Sequence, residues 1–122
     1  MGWAGQASVL RAWEEPGRLS VVSPIRVVTL HGEIDHQTGE VLRQALQVTA
    51  PPGPRVVADM RGVGFMDSTG INIFIAAHRD LAEASGWLRL TAPTTPVLRT
   101  IQLVGADAFI DCRETLRQAL AS

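Results

Sequence analysis

From Ile25 onward the hydrophobic period of this chain keeps switching between that of a strand and that of a helix, and few architectures tolerate such alternation. Ile25 to His31 is rich in β-branched residues, and so is Leu19 to Val22 before it. Ser23-Pro24 separates the two runs, which read as neighbouring strands joined tightly, because Pro24 cannot donate to a central ladder. Gly32 is expected to end the second strand. From Gln37 the spacing turns helical, with Val41, Leu42, Ala45 and Leu46 on one stripe. Asp35 and Thr38 are both suited to cap its start. Pro51-Pro52-Gly53-Pro54 stops that helix, and Val56-Val57-Ala58-Asp59 reads as a short strand buried on both faces.

Asp67-Ser68-Thr69-Gly70 opens a second stripe of Ile71, Phe74, Ile75, His78, Leu81 and Ala82, which Gly86 ends. Trp87 to Leu90 resumes strand character. Thr94-Thr95-Pro96 starts a further helix whose inner face is read as Val97, Leu98, Ile101 and Val104, closed by Gly105. Phe109-Ile110 reads as a last strand and Glu114 to Leu120 as a final amphipathic helix. Strands first and then strict alternation predict an α/β fold, parallel wherever a helix is the crossover, with the first pair open to an antiparallel arrangement.

The 122 residues suffice for one core, so a single domain over 18–122 is expected, preceded by an extension over 1–17 with one short element around Val9 to Trp13. A net charge of -1 gives no reason to expect nucleic acid or an anionic membrane as a partner. No apolar run approaches the roughly 20 residues of a membrane span. The start of the chain does not read as a secretory signal, so cytoplasmic residence is expected. Cys112 is the only cysteine, which rules out an internal disulfide, and its plain reading is a small buried apolar residue.

Ser68 and Asp35 occupy equivalent places, each after a strand and before a helix, where partners of parallel α/β sheets usually bind. A serine in the first turn of a helix has an ordinary structural role, capping backbone N–H groups for about 1 kcal/mol. The same place suits a phosphate, because free N–H groups and the positive end of the helix dipole meet there. Gly70 reads as leaving the backbone open to close approach. Asp35 reads equally as a cap or as part of a recognition surface.

Catalysis has little support. Phe65 to Gly70 lacks the G-x-S-x-G elbow, and no spacing places His31, His36 or His78 beside Ser68. His78 is expected as a hydrogen-bonded packing residue. Asp35, Asp59 and Asp67 show no metal-site order, and a chain without lysine cannot complete a Walker-type phosphate loop. Neither a metal nor a cofactor is expected, and no pocket signature marks a small-molecule sensor.

Two segments in order resemble the signatures of the STAS family. Val27-Val28-Thr29-Leu30-His31-Gly32-Glu33-Ile34-Asp35, running into Thr38, resembles the first. Asp59-Met60-Arg61-Gly62-Val63 through Phe65-Met66-Asp67-Ser68-Thr69-Gly70 resembles the second, which carries the phosphorylatable serine in bacterial anti-sigma-factor antagonists. Leu103-Val104-Gly105 and Phe109 fit as well, so the likeness runs from about Leu19 to Leu120. It implies a mixed sheet of four to five strands with helices packed mainly on one side. It also implies a binding switch, not an enzyme: Ser68 as phosphoacceptor, a serine kinase that doubles as the anti-sigma factor as partner, and a serine phosphatase that resets the site. Carried onto this chain, Asp67, Thr69 and Gly70 form the docking loop, Asp35 the acidic position beside it, and Ile71 a further partner-binding residue. Ile71-Asn72 replaces the family's usual small or leucine-rich helix start. Other members serve as scaffold or accessory subunits of sensory or lipid-transport complexes, and the intact Asp67-Ser68-Thr69 favours the switch over that alternative.

Overall fold

Leu10, Val28, Leu30, Val56, Ala58, Met60, Leu88 and Leu90 bury their side chains in one apolar layer, while the alternate positions Val27 and Val57 face the opposite way. That period of two is what a pleated sheet requires. The computed structural model describes residues 9–15, 25–47 and 54–121. It contains a five-stranded sheet in the order β1-β2-β3-β4-β5, formed by Leu10–Glu15, Ile25–Ile34, Arg55–Met66, Trp87–Thr91 and Asp111–Arg113. β1 runs antiparallel to β2, and every later pair is parallel.

Helices α1 (Gly39–Ala45), α2 (Ser68–Glu83) and α3 (Thr95–Leu103) cover one face and supply Leu42, Ile71, Phe74, Leu81, Val97 and Ile101 to the main core. Helix α4 (Leu116–Leu120) covers part of the other face, where Ala119 packs with Ile25, Val27 and Val57. Each fully buried large side chain contributes roughly 1.5–3 kcal/mol, so the three-helix face dominates stability. The α/β class, the mixed sheet and the one-sided bias of the helices agree with the sequence reading.

Several boundaries differ. The strand expected at Leu19 to Val22 lies outside the described residues, and the antiparallel neighbour of β2 is Leu10–Glu15, within the segment read as an extension. β2 does not stop at Gly32. The chain passes through Gly32 at φ 128° and continues to Ile34, with the Glu33 N–H donating to the Val9 carbonyl at 2.8 Å. A Cβ on Gly32 would lie 2.0 Å from that carbonyl oxygen, so only glycine lets β1 cross there.

β3 is longer than expected, running on to Met66 because Met60, Val63 and Met66 stay buried beyond Asp59. The last strand is Asp111–Arg113, not Phe109-Ile110. Gly105, at φ 74°, turns the chain into a short 3₁₀ turn over Ala106–Ala108 that leaves Phe109 exposed and delays the strand. Val41 and Val104, read as inner-face residues, are exposed, as is Ala82.

Candidate functional site

The first two parallel strands end level with each other. Ile34 is the register partner of Met66, and the Asp67 N–H donates to the Ile34 carbonyl at 3.1 Å. That bond holds the β2–α1 and β3–α2 connections side by side at the carboxyl edge of the sheet. Asp35 and Ser68 therefore fall on neighbouring loops, as the sequence reading expected.

The β2–α1 loop is tied from within. Thr38, 3% exposed, accepts the Asp35 N–H on its hydroxyl at 2.9 Å and donates to the Glu33 carbonyl at 2.8 Å. The Asp35 carboxylate accepts N–H bonds from Gln37 at 2.9 Å and Thr38 at 3.2 Å. Thr38 occupies the cap position of α1 without making a side-chain cap, and the Asp35 bonds order the turn just before the helix instead. Its carboxylate stays half-buried, fixed in direction by two backbone bonds.

At the start of α2 the duties divide by residue. Asp67 is the N-cap: its backbone is extended and its Oδ1 accepts the Thr69 N–H at 2.9 Å. Ser68 is the first helical residue, exposed, and its hydroxyl makes no hydrogen bond among the described residues. The capping role that explained a serine here belongs to its neighbour. Thr69 is half-buried beside it.

Gly70 and Ile71, expected as partner-binding residues, are turned toward the core. Both are buried, Ile71 at 4% exposure within the main core. A Cβ on Gly70 would lie 2.5 Å from Ile34 Cγ2 and 2.6 Å from Met66 Cγ. Gly70 is thus needed for α2 to close onto the ends of β2 and β3, and it does not open the backbone to a visitor. Phe65, three residues before Ser68 and 47% exposed, was assigned no role from the sequence. Its alternation with buried Met66 is the signal that would have put it outside.

The other chemistry-bearing residues are scattered. Asp59, only 1% exposed, lies back along β3, where Arg61 Nη2 donates to its Oδ2 at 2.9 Å. It does not join Asp35 and Asp67. His31 and His36 are exposed. His78 is half-buried on α2, and its Nδ1 is buried without a hydrogen-bond partner among the described residues, contrary to the expected bonded packing role. Cys112 is only partly buried, and burial together with Asp107 and Asp111 pushes its thiol up to about 11. Among the described residues no group of three or more His, Cys, Asp or Glu is placed to hold a metal ion, and no helix is long and apolar enough to cross a membrane.

The mixed sheet thus brings two loops together at its carboxyl edge, one with an exposed hydroxyl and both with a carboxylate held by backbone N–H groups. The chain belongs to the STAS domain family, whose model matches residues 18–119. It is 30% identical over 84 residues to the anti-sigma-B factor antagonist of Bacillus subtilis, covering 69% of this chain and 77% of that protein. An anti-sigma F factor antagonist from Lysinibacillus sphaericus is 27% identical over 86 residues, covering 69% of this chain and 74% of that one. The crystal structure of an anti-sigma factor antagonist from Mycobacterium paratuberculosis superposes with a TM-score of 0.76 at 29% identity, covering 92% of each chain. SpoIIAA in its unphosphorylated form shares the fold, with a TM-score of 0.64 at 24% identity over 93% of each chain.

Proposed function

We propose that this chain is an anti-sigma-factor antagonist working as a phosphorylatable binding switch in the cytoplasm. Unphosphorylated, it binds a serine kinase that is also the anti-sigma factor, and so frees a sigma factor. The kinase then uses Mg-ATP to phosphorylate Ser68, the complex separates, and a serine phosphatase restores the active form. The chain supplies an acceptor and a surface, with Asp35, Asp67 and Thr69 around the hydroxyl, and performs no chemistry itself.

The observation that carries this reading is the exposed Ser68 hydroxyl, relieved of capping by Asp67. A kinase reaches it without disturbing the helix, and the phosphate meets the positive end of α2. Phosphorylation adds about -1.5 to -2 charges beside the Asp67 carboxylate and on the loop next to Asp35. Pressed against a partner, that charge costs about 2–4 kcal/mol, at roughly 1–4 kcal/mol per close pair. Binding then weakens roughly 30- to 1000-fold.

The test is incubation of the purified chain with Mg-ATP and the serine kinases encoded beside it, followed by intact mass and peptide fragmentation. One phosphoryl group on Ser68, absent from Ser68→Ala, is the expected result. No modification by any of these kinases defeats the switch in favour of a scaffold role. Modification of Thr69 alone keeps the switch and moves its acceptor.

A further inference from the structure

We propose that the open groove between α1 and α2 is a docking site for a basic segment of the same partner kinase. The inference rests on the switch reading and adds to it a second contact region with its own chemistry.

The groove begins beside the phosphorylation site. At its closed end Gly39 of α1 lies against α2, where an added Cβ would sit 3.1 Å from Ile73 Cδ1 and 3.2 Å from Thr69 Cγ2. Beyond that contact a trough of about 1010 Å³ remains between the two helices. Gly39, Ile73 and Ala76 line it with apolar groups, and Glu40, Asp80 and Glu83 line it with acids. Arg43 also lines it, but its guanidinium is engaged by Glu40 within α1. The excess charge along the trough is negative.

Asp80 and Glu83 are the informative pair. Both are exposed, and neither has a cationic partner among the described residues. They stand in the last turn of α2, which holds no basic residue. Carboxylates at that end oppose the helix dipole, and among the described residues Arg79, four residues before Glu83, forms no ion pair that offsets it. A segment bearing Arg or Lys supplies that offset: aliphatic stems lie along Ile73 and Ala76 while the charged heads reach the acidic wall.

The remote end of the groove is independent of the switch end. Asp80 and Glu83 follow Ser68 by 12 and 15 residues, which is about 18–22 Å along a helix. That exceeds the Debye length of about 8–10 Å at ordinary ionic strength. A phosphate on Ser68 therefore acts on what the kinase places beside it, whereas Asp80 and Glu83 provide attraction in either state.

The test uses the full chain and the purified kinase that phosphorylates Ser68, with affinity measured by calorimetry at low and at high salt. The double variant Asp80→Lys/Glu83→Lys is compared with Glu114→Lys, a reversal next to α4 on the other face of the sheet. The expected result is at least tenfold weaker binding for the double variant, a loss that shrinks at high salt, with the control unchanged. Lysines at the end of α2 favour the helix dipole, which offsets their closeness to Arg79, so the unfolding midpoint should stay near native, and measuring it separates weaker binding from a damaged fold. Binding within twofold of native overturns the groove while leaving the switch intact. A native chain that binds and is modified by no kinase overturns both, a result the charge variants alone never give.

Discussion

Asp67→Ala removes the side-chain cap at the start of α2, and its effect can be worked from the geometry. The bond lost is the 2.9 Å contact from the Thr69 N–H to Oδ1, and loss of an Asp cap costs about 0.5–2 kcal/mol. The carboxylate also interacts with the helix dipole, for about 0.3–1 kcal/mol. Together the variant should lose roughly 0.8–3 kcal/mol. For a domain of this size, at about 3–6 °C per kcal/mol, the midpoint falls by roughly 2–18 °C. Asp67→Asn keeps the hydrogen bond and gives up only the charge, so it should retain most of that stability. Ser68→Ala, one residue on, removes an exposed hydroxyl with no bond and should stay within about 0.5 kcal/mol of native. Urea unfolding followed by far-UV circular dichroism measures all three, with equal m-values as the check on two-state behaviour. If Ser68→Ala were as destabilising as Asp67→Ala, the serine would share the cap, and the separation of structural and regulatory roles would fail.

Gly70→Ala should destabilise by about 1–3 kcal/mol through overpacking against Ile34 and Met66, despite the better helix propensity of alanine; a variant as stable as native in the same titration would return Gly70 to the docking surface. Cys112, with its thiol pushed up to about 11 by burial and nearby carboxylates, should react with iodoacetamide at neutral pH about a hundredfold more slowly than in the unfolded chain, and equal rates would refute that environment. Asp111 is held below its ordinary value, first by its hydrogen bond to Arg113, so its contribution is present above the usual carboxylate range and lost as pH falls through the lowered value. Asp111→Asn should therefore flatten part of the acid limb of the stability profile, and an unchanged limb would show the pair to be inert.

The alternation of periods was legible because β2 and β3 carry apolar runs buried on both faces, Val27-Val28 and Val56-Val57-Ala58, while α2 and α3 are apolar along one stripe. That contrast survives without any knowledge of the contacts. β1 was not readable as sheet, since Leu10–Glu15 carries no β-branched run and its structure comes from pairing with β2. The second half of β3 was hidden for a related reason. Gly62 and Gly64 look like loop residues until the strand beside them is known. Phe109 drew the last strand forward because hydrophobicity alone does not say whether a side chain reaches the core. At the site, the position of Ser68 was legible, yet the division of labour around it was not. Both Asp67 and Ser68 suit a cap, and only backbone angles decide between them. The stripe of α2 had already placed Ile71 inward, and its docking role came solely from the family likeness.

Within Asp67 to Ile71 the structural tasks fall on Asp67, Gly70 and Ile71 and not on Ser68, and this separation makes the proposed charge switch feasible. Ile71 and Gly70 face the core and fix where α2 begins. Asp67 holds the first turn with a bond that the proposed phosphorylation of its neighbour would leave in place. Ser68 is left with a hydroxyl on which the fold makes no demand. Had Ser68 been the cap, phosphorylation would have replaced the atom that satisfies the helix, and partner release would have been coupled to fraying of α2. With the cap elsewhere, the proposed modification would change charge at a fixed position, and the energy of release would come from the interface alone.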